Sequence, residues 1–264
     1  MKKWIYIIAV LSLCAACAPK SEDSNDNGSE GTSADQLIIG GRVATKKSEV
    51  EQTTVSLLDT AQGTLCTASI LSEDVVITAA HCVSGHPNNM ELSFGPRSAG
   101  HDLRRVVDVA VAAPWARHSR EAYDNGDIAL VKFAGGLPPG FKPATLMKSS
   151  QRLSDGQTVT LAGFGTSSGE GTGAGRLRLV DVKIAKADYS KTEVAVDQTK
   201  GHGACHGDSG GPAFVQDGKK DLLLWGVTSR GIDDPHDHCA GEAVYTRIQP
   251  YAPWIDKVVQ AWRK

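Results

Sequence analysis

A chain of 264 residues is long enough for one large or two small domains and for a sizeable core. Its 41% hydrophobic and 22% charged residues are those of a globular protein, and a formal net charge of -2 offers no bulk electrostatic reason to bind nucleic acid. With 28 glycines and only 6% aromatics, short strands joined by tight turns suit the composition better than long helices.

The N-terminus reads as a targeting segment. Lys2 and Lys3 precede an apolar run from Trp4 to Leu13, too short to span a bilayer comfortably, and the small residues Ala15, Ala16 and Ala18 follow it. Residues 1–16 are therefore expected to direct export. The stretch Leu13-Cys14-Ala15-Ala16-Cys17 resembles a bacterial lipobox, in which the signal is cut before a cysteine that carries lipid; Cys14 stands where that pattern usually has an aliphatic residue. The resemblance implies lipid on Cys17 and a periplasmic or cell-surface lipoprotein tethered to a membrane. Simple secretion with a different cut is the alternative. Residues 17–37 are dominated by Ser, Asp, Glu, Asn and Gly. They cannot bury enough apolar surface to offset ordering entropy and read as a polar tether or propeptide.

The composition changes at Leu37-Ile38-Ile39-Gly40-Gly41, where the body, residues 38–264, begins. Up to about Phe133 short apolar runs alternate with turn residues. Thr53–Leu58, Thr64–Leu71, Val75–Thr78, Met90–Phe94, Val106–Ala112 and Ile128–Phe133 are expected strands. Gly135-Gly136-Leu137-Pro138-Pro139-Gly140 is a loop by composition. A second strand-rich half follows, with Gln157–Ala162, Leu177–Ile184, Ala213–Val215, Leu222–Thr228 and Ala243–Ile248; the glycine-rich stretch 163–175 reads as a surface loop. At the end the period changes. Pro253 suits a first helical turn, and Trp254, Ile255, Val258, Val259 and Trp262 recur every three to four residues, so one amphipathic helix is expected.

Three stretches carry chemistry. Thr78-Ala79-Ala80-His81-Cys82, Asp127-Ile128-Ala129-Leu130 and Gly207-Asp208-Ser209-Gly210-Gly211-Pro212 together offer a base, an acid and a nucleophile. A serine hydroxyl is a poor nucleophile at neutral pH and needs a base at hydrogen-bond distance; histidine is the side chain whose ordinary pKa suits that task. His81 would take the proton of Ser209, and Asp127 would hold the other ring nitrogen and stabilise the imidazolium. The three are separated by 46 and 82 residues, so only the fold can gather them. Gly207 allows a turn that aims its own N–H and that of Ser209 at one point, a pair suited to an oxyanion. Cys66, Cys82, Cys205 and Cys239 lie in the body, and in an oxidising compartment four cysteines suggest two disulfides.

With these motifs in place, residues 38–264 resemble a trypsin/chymotrypsin-type serine endopeptidase. The resemblance rests on Ile38-Ile39-Gly40-Gly41, the blocks around His81, Asp127 and Ser209, Gly163-Phe164-Gly165, and Val244-Tyr245-Thr246-Arg247, all in family order. It implies an all-β fold of two six-stranded antiparallel barrels, the site in the crevice between them and a C-terminal helix. It also implies pairing of Cys66 with Cys82 and of Cys205 with Cys239. It further implies a zymogen cut before Ile38, whose new ammonium would pair with Asp208. Leu37 stands where a basic residue is usual, which points to an activating protease that prefers apolar residues, or to the enzyme itself.

The resemblance places the floor of the specificity pocket at Gly203 and its walls at Ser229, Arg230, Gly231 and Ala243. No aspartate at 203 argues against choice of Lys or Arg, and Ala243 in place of glycine narrows the slot, so a small-to-medium apolar side chain is expected before the scissile bond. Arg230, where relatives usually carry an aromatic, raises a rival preference for an acidic residue. His236, Asp237 and His238 read as a polar surface loop rather than a metal site, and no cofactor motif is present. Substrates would be proteins or peptides. Asp124 is a weaker candidate than Asp127 for the orienting carboxylate. His206 is a candidate for the cleft wall, while His86, His101, His118 and His202 read as surface or structural. Val159 and Val215 occupy positions where many relatives pair cysteines, and two facing apolar residues would pack there instead. The alternative of a different class is a non-catalytic homologue that uses the same surface as a binding module.

Overall fold

The computed structural model describes residues 38–264, apart from 101, 169–170, 219–220 and 233–238. It opens with a two-residue strand, β1 (Arg42–Val43), and a short helix, α1 (Glu49–Thr53), whose N-cap Ser48 accepts a hydrogen bond from the Glu51 N–H. Strands β2 (Thr54–Asp59), β3 (Thr64–Ile70), β4 (Val75–Thr78), β5 (Met90–Phe94), β6 (Asp102–Val111) and β7 (Ala129–Phe133) follow, with helix α2 (Ala113–His118) between the last two. The six strands close on themselves in the order β2-β3-β4-β7-β6-β5, every pair antiparallel.

Strand β8 (Thr145–Leu146) is a short link between the halves. Strands β9 (Thr158–Gly163), β10 (Arg178–Lys186), β11 (Glu193–Asp197), β12 (Pro212–Gln216), β13 (Leu222–Ile232) and β14 (Glu242–Arg247) then form a second antiparallel ring. Its order is β9-β10-β11-β14-β13-β12, and pairing of Ala213 with Leu161 and Phe214 with Thr160 closes it.

The patterning of the second barrel explains its closure. Alternate residues of every strand fall in one buried cluster: Val159 and Leu161, Val180, Val182 and Ile184, Val194 and Val196, Ala213 and Val215, Leu223 and Trp225, Ala243 and Tyr245. Period-two alternation sends one face of each strand inward, and each fully buried Val, Leu or Ile contributes about 1.5–3 kcal/mol of transfer free energy. Val159 and Val215 share this core, one step beyond the Thr160–Phe214 pair, so apolar packing fills the place of a cross-link. The first barrel is filled by Val55, Leu57, Ile77, Leu92, Phe94 and Phe133 among others, with Phe94 edge-on to Phe141 at 5.1 Å.

Helix α3 (Ala252–Trp262) ends the chain. Ile255 is buried, and Trp254, Val258, Val259 and Trp262 pack on the core that includes the first barrel. The helix end is tied to that barrel: the Trp262 indole N–H donates to Asp108 Oδ2 at 2.8 Å and the Lys132 ammonium to the Trp262 carbonyl at 2.6 Å. Among the described residues no helix is long and apolar enough to cross a membrane.

The expected strands are all present, most with ends shifted by one or two residues; Val106–Ala112 corresponds to the C-terminal half of a longer strand, Asp102–Val111, and Leu222–Thr228 extends to Ile232. One barrel strand, β11, does not stand out in the sequence. Its three apolar residues lie between Glu193 and Asp197, and Glu193 is 1% exposed, a buried acid that reads in sequence as a loop residue.

Candidate active site

His81 sits in a 3-10 turn, Ala80–Val83, directly after β4, and Asp127 lies just before β7, the strand that pairs with β4. Adjacent strand ends therefore bring the two side chains together. The Asp127 carboxylate is 2% exposed and accepts from three donors: the His81 backbone N–H to Oδ1 (3.0 Å), the His81 ring Nδ1 to Oδ2 (2.8 Å) and the Ser229 hydroxyl to Oδ2 (2.7 Å). A carboxylate only accepts, so the contact assigns the proton to Nδ1 and leaves Nε2 as the acceptor. Asn125 Oδ1 accepts from the Asp127 N–H and Thr246 Oγ1 donates to the Asp127 carbonyl, which holds the backbone as well.

Ser209 comes from the other barrel, on the turn that precedes β12. Its carbonyl accepts from the Thr67 N–H of β3 at 2.8 Å and lies 3.6 Å from Cys82 Sγ, beside His81. That sulfur is in a disulfide and has no proton, so the second contact is packing. The fold thus sets Ser209 against the stretch that carries His81, and Ser209 lines a cavity. Among the described residues His81 Nε2 makes no hydrogen bond.

The turn depends on glycine at two positions. Gly207 has φ 94° and a Cβ there would stand 3.0 Å from Gly165 Cα; Gly210 has φ 79° and its Cβ would fall 2.0 Å from Thr78 Oγ1. Both conformations and both approaches exclude a side chain. The resulting turn pairs the Asp208 N–H with the Cys205 carbonyl and the Gly210 N–H with the Thr228 carbonyl. Among the described residues the N–H groups of Gly207 and Ser209 donate to no protein acceptor.

Asp208 turns the other way, into the second barrel. It is 1% exposed, and its carboxylate accepts from the Gly165 N–H (2.8 Å) and the Cys205 N–H (2.9 Å). Burial pushes its pKa up to about 7; the two N–H donors and the Arg178 charge pull the other way but do not prevail. Ile38 is likewise 1% exposed and belongs to the second barrel's core.

The disulfides Cys66–Cys82 and Cys205–Cys239 are both formed, as expected. The first anchors the His81 turn to β3; the second joins the segment before Ser209 to the segment before β14. Two groups of His and Cys side chains lie close together, Cys66, His81 and Cys82, and Cys205, His206 and Cys239. Each is built on a disulfide, whose sulfurs are not thiolate ligands. His236, Asp237 and His238 lie outside the described residues, as does His101.

The cavity beside Ser209 holds about 190 Å³ and is lined on its two walls by Ala204, Cys205 and His206 and by Ser229, Arg230, Gly231 and Ala243. Gly203 is buried, and the side chain of Gln198 lies where a Cβ on it would point. Gln198 has no motif around it and escapes a reading of the sequence.

Arg230 does not extend a free charge into the cavity. Its guanidinium makes a two-pronged pair with the buried Glu193, at 2.8 and 3.2 Å, and also donates to the Ala122 carbonyl and to Ser229 Oγ. The reading of Arg230 as a receptor for an acidic substrate residue has no support in this arrangement. Asp124 is also engaged elsewhere, accepting from Ser190 Oγ, Thr192 N and Thr192 Oγ1. His206 lines the cavity, while His86, His118 and His202 are exposed.

The family model described as Trypsin matches residues 38–255. The chain belongs to the trypsin family. It is 31% identical over 245 residues to granzyme M of Rattus norvegicus, covering 85% of this chain and 90% of that protein. It is 29% identical over 246 residues to a trypsin-like protease of Streptomyces glaucescens, covering 86% and 84%. Against transmembrane protease serine 11G of Rattus norvegicus it is 27% identical over 209 residues, covering 72% of this chain but 48% of that protein, so it spans about half the length of that relative. The protein is a serine-type endopeptidase, a hydrolase that acts on proteins or peptides.

Proposed function

We propose that Ser209, His81 and Asp127 carry the hydrolysis through an acyl-enzyme. The observation that supports it most directly is the Asp127 carboxylate, which holds the imidazole in the tautomer whose free nitrogen is the base. His81 Nε2 takes the Ser209 proton as Oγ attacks the acyl carbon. The oxyanion forms before the unengaged N–H groups of Gly207 and Ser209, where losing one donor typically costs about 2.7–4 kcal/mol. His81 then returns the proton to the departing amine, and water repeats the sequence to release the acid.

The cavity is the place for the side chain before the scissile bond. Its modest volume, its narrowing by Ala243 and the absence of an acid at 203 favour a small-to-medium uncharged residue. The finer reading extends to activation. In the uncut chain Ile38, a β-branched residue, sits at φ 39°, a conformation that costs about 1–3 kcal/mol. Cleavage before Ile38 removes that constraint and supplies an ammonium to neutralise Asp208, which burial otherwise holds near its neutral form. The protein is read as an exported zymogen activated by another protease or by itself, with residues 1–16 as signal, 17–37 as tether and lipid on Cys17.

Ser209→Ala tests the core of this reading. Peptide turnover by the cut protein is expected to fall by about 10⁴–10⁶-fold with the melting temperature unchanged. Turnover equal to the parent's would remove Ser209 from the reaction.

A further inference from the structure

Gln198 follows β11 directly and is 2% exposed, yet its side chain lines the cavity beside Ser209. Its amide is locked on both sides. Oε1 accepts from the Ala204 N–H at 2.7 Å, and Nε2 donates to the Ala204 carbonyl at 3.1 Å and to the Cys239 carbonyl at 3.3 Å. The main chain is fixed too, with the Gln198 N–H on the Gly241 carbonyl and the Gly201 N–H on the Gln198 carbonyl. One side chain therefore bonds both the Ala204 and the Cys239 segments, each of which lines the cavity.

The neighbouring glycine completes the observation. A Cβ on Gly203 would lie 2.2 Å from Gln198 Cδ and 2.4 Å from its Cγ and Oε1. The amide fills the volume in which a side chain at 203 would begin. Glycine at 203 therefore leaves no empty space at this position, because the Gln198 amide occupies it.

We propose that Gln198 sets the specificity of the cavity, its neutral amide serving as the floor that limits how long a side chain can enter. This rests on the assignment of the cavity to the residue before the scissile bond. Both amide hydrogens are already donated to carbonyls, so the floor offers an incoming group no donor and no charge. At the amide itself an incoming charge would lose its water for a neutral group; among the described residues the charged side chains that line the cavity are those of Arg230 and Glu242. Side chains that stop short of the amide fit; longer ones collide with a group pinned by three hydrogen bonds.

The test profiles the cut enzyme on peptides that differ only in the residue before the scissile bond, with active sites counted by fluorophosphonate titration. Gln198→Ala is expected to raise the kcat/KM ratio of phenylalanine over alanine substrates by at least about tenfold, the order of effect that one or two methylenes have in a pocket. Gln198→Met keeps the length while removing the hydrogen bonds, and is expected to retain the parent's size limit. Gly203→Ala should disturb the parent but be tolerated in a Gln198→Ala background. An unchanged profile in titrated Gln198→Ala enzyme overturns the proposal, as does an equal shift in the Ala and Met variants, which would reduce Gln198 to a structural clamp. If Gln198→Ala yields no titratable sites, the Met variant and the Gly203→Ala pair decide alone: a Met profile relaxed toward phenylalanine, or Gly203→Ala tolerated with no change of profile, overturns it. If the parent itself neither titrates nor cleaves, the catalytic reading has failed rather than this one.

Discussion

Asp127 shows how a single residue's surroundings define a role. Its three donors come from His81 and Ser229, and Ser229 belongs to the second barrel, so the carboxylate proposed to orient His81 is held from both halves. Removing the hydroxyl in Ser229→Ala takes away one charge-assisted bond, worth about 1.5–3 kcal/mol. The expected result is a kcat reduced by roughly ten- to hundredfold with KM nearly constant, read from steady-state kinetics. Asp208 makes a prediction about pH. In the uncut chain its folded pKa, about 7, exceeds the ordinary 3.8. Below 3.8 the carboxyl is protonated in both states. As pH rises the unfolded chain ionises first, so stability declines until the folded group ionises near 7, a loss of roughly 4 kcal/mol at ~1.4 kcal/mol per pH unit. Urea unfolding of uncut Ser209→Ala protein from pH 4 to 8 should show that decline, reduced when Asp208→Asn is added. A decline of the same size with Asn would locate it elsewhere. At this scale the motif residues were legible because turn chemistry and nucleophile chemistry demand particular residue types at adjacent positions. Gln198 was not, because the five residues from it to Gly203 carry no signal of which side chain lies over which.

Elements explain why the rest of the site was partly hidden. Most barrel strands announce themselves by alternation, as Val180, Val182 and Ile184 do in β10. β11 does not, because its Glu193 is buried through a pair with Arg230, 37 residues further on, and a contact with the Ser190 hydroxyl. The same pair engages Arg230, the residue that raises the rival preference for an acidic substrate side chain. Arg230 also grips the Ala122 carbonyl, Asp124 accepts from Ser190 and Thr192, and Tyr123 lies 5.2 Å from Tyr189 between ring centres. These contacts fasten the loop before Asp127 to the second barrel. Arg230→Ala leaves Glu193 as an uncompensated buried charge, a cost of about 3–5 kcal/mol. The expected fall in melting temperature is roughly 6–20 °C, with much of it restored by adding Glu193→Gln. A single variant as stable as the parent would show that the pair contributes nothing.

Across the whole molecule, the proposed catalysis depends on two barrels meeting in one register, and the core of the first runs on into Ala162, Phe214, Leu224 and Val227 of the second. Thr67 of β3 is a principal seam: its N–H meets the Ser209 carbonyl, its hydroxyl the Gly207 carbonyl, and the Phe164 N–H meets its Oγ1. The Cys66–Cys82 disulfide holds this strand to the His81 turn across 16 residues, a loop size worth about 3 kcal/mol. Replacing both cysteines with alanine should lower stability by about that amount and lower kcat, since the turn loses its anchor; unfolding and turnover measured together check both. The two-barrel architecture was legible through the family resemblance, with which the expected strands and terminal helix agree, whereas the seam between the barrels was not, because threonine's contacts are set by tertiary register alone.

A Ser209 hydroxyl made nucleophilic by His81 under the hold of Asp127 should react where no other hydroxyl of the chain does. Intact-mass and peptide mapping of the cut protein after treatment with a fluorophosphonate tests it most directly. One adduct per chain is expected, on Ser209, lost in Ser209→Ala and strongly slowed in His81→Ala. A cut, folded protein that takes no adduct, or takes it at another residue, would contradict the claim.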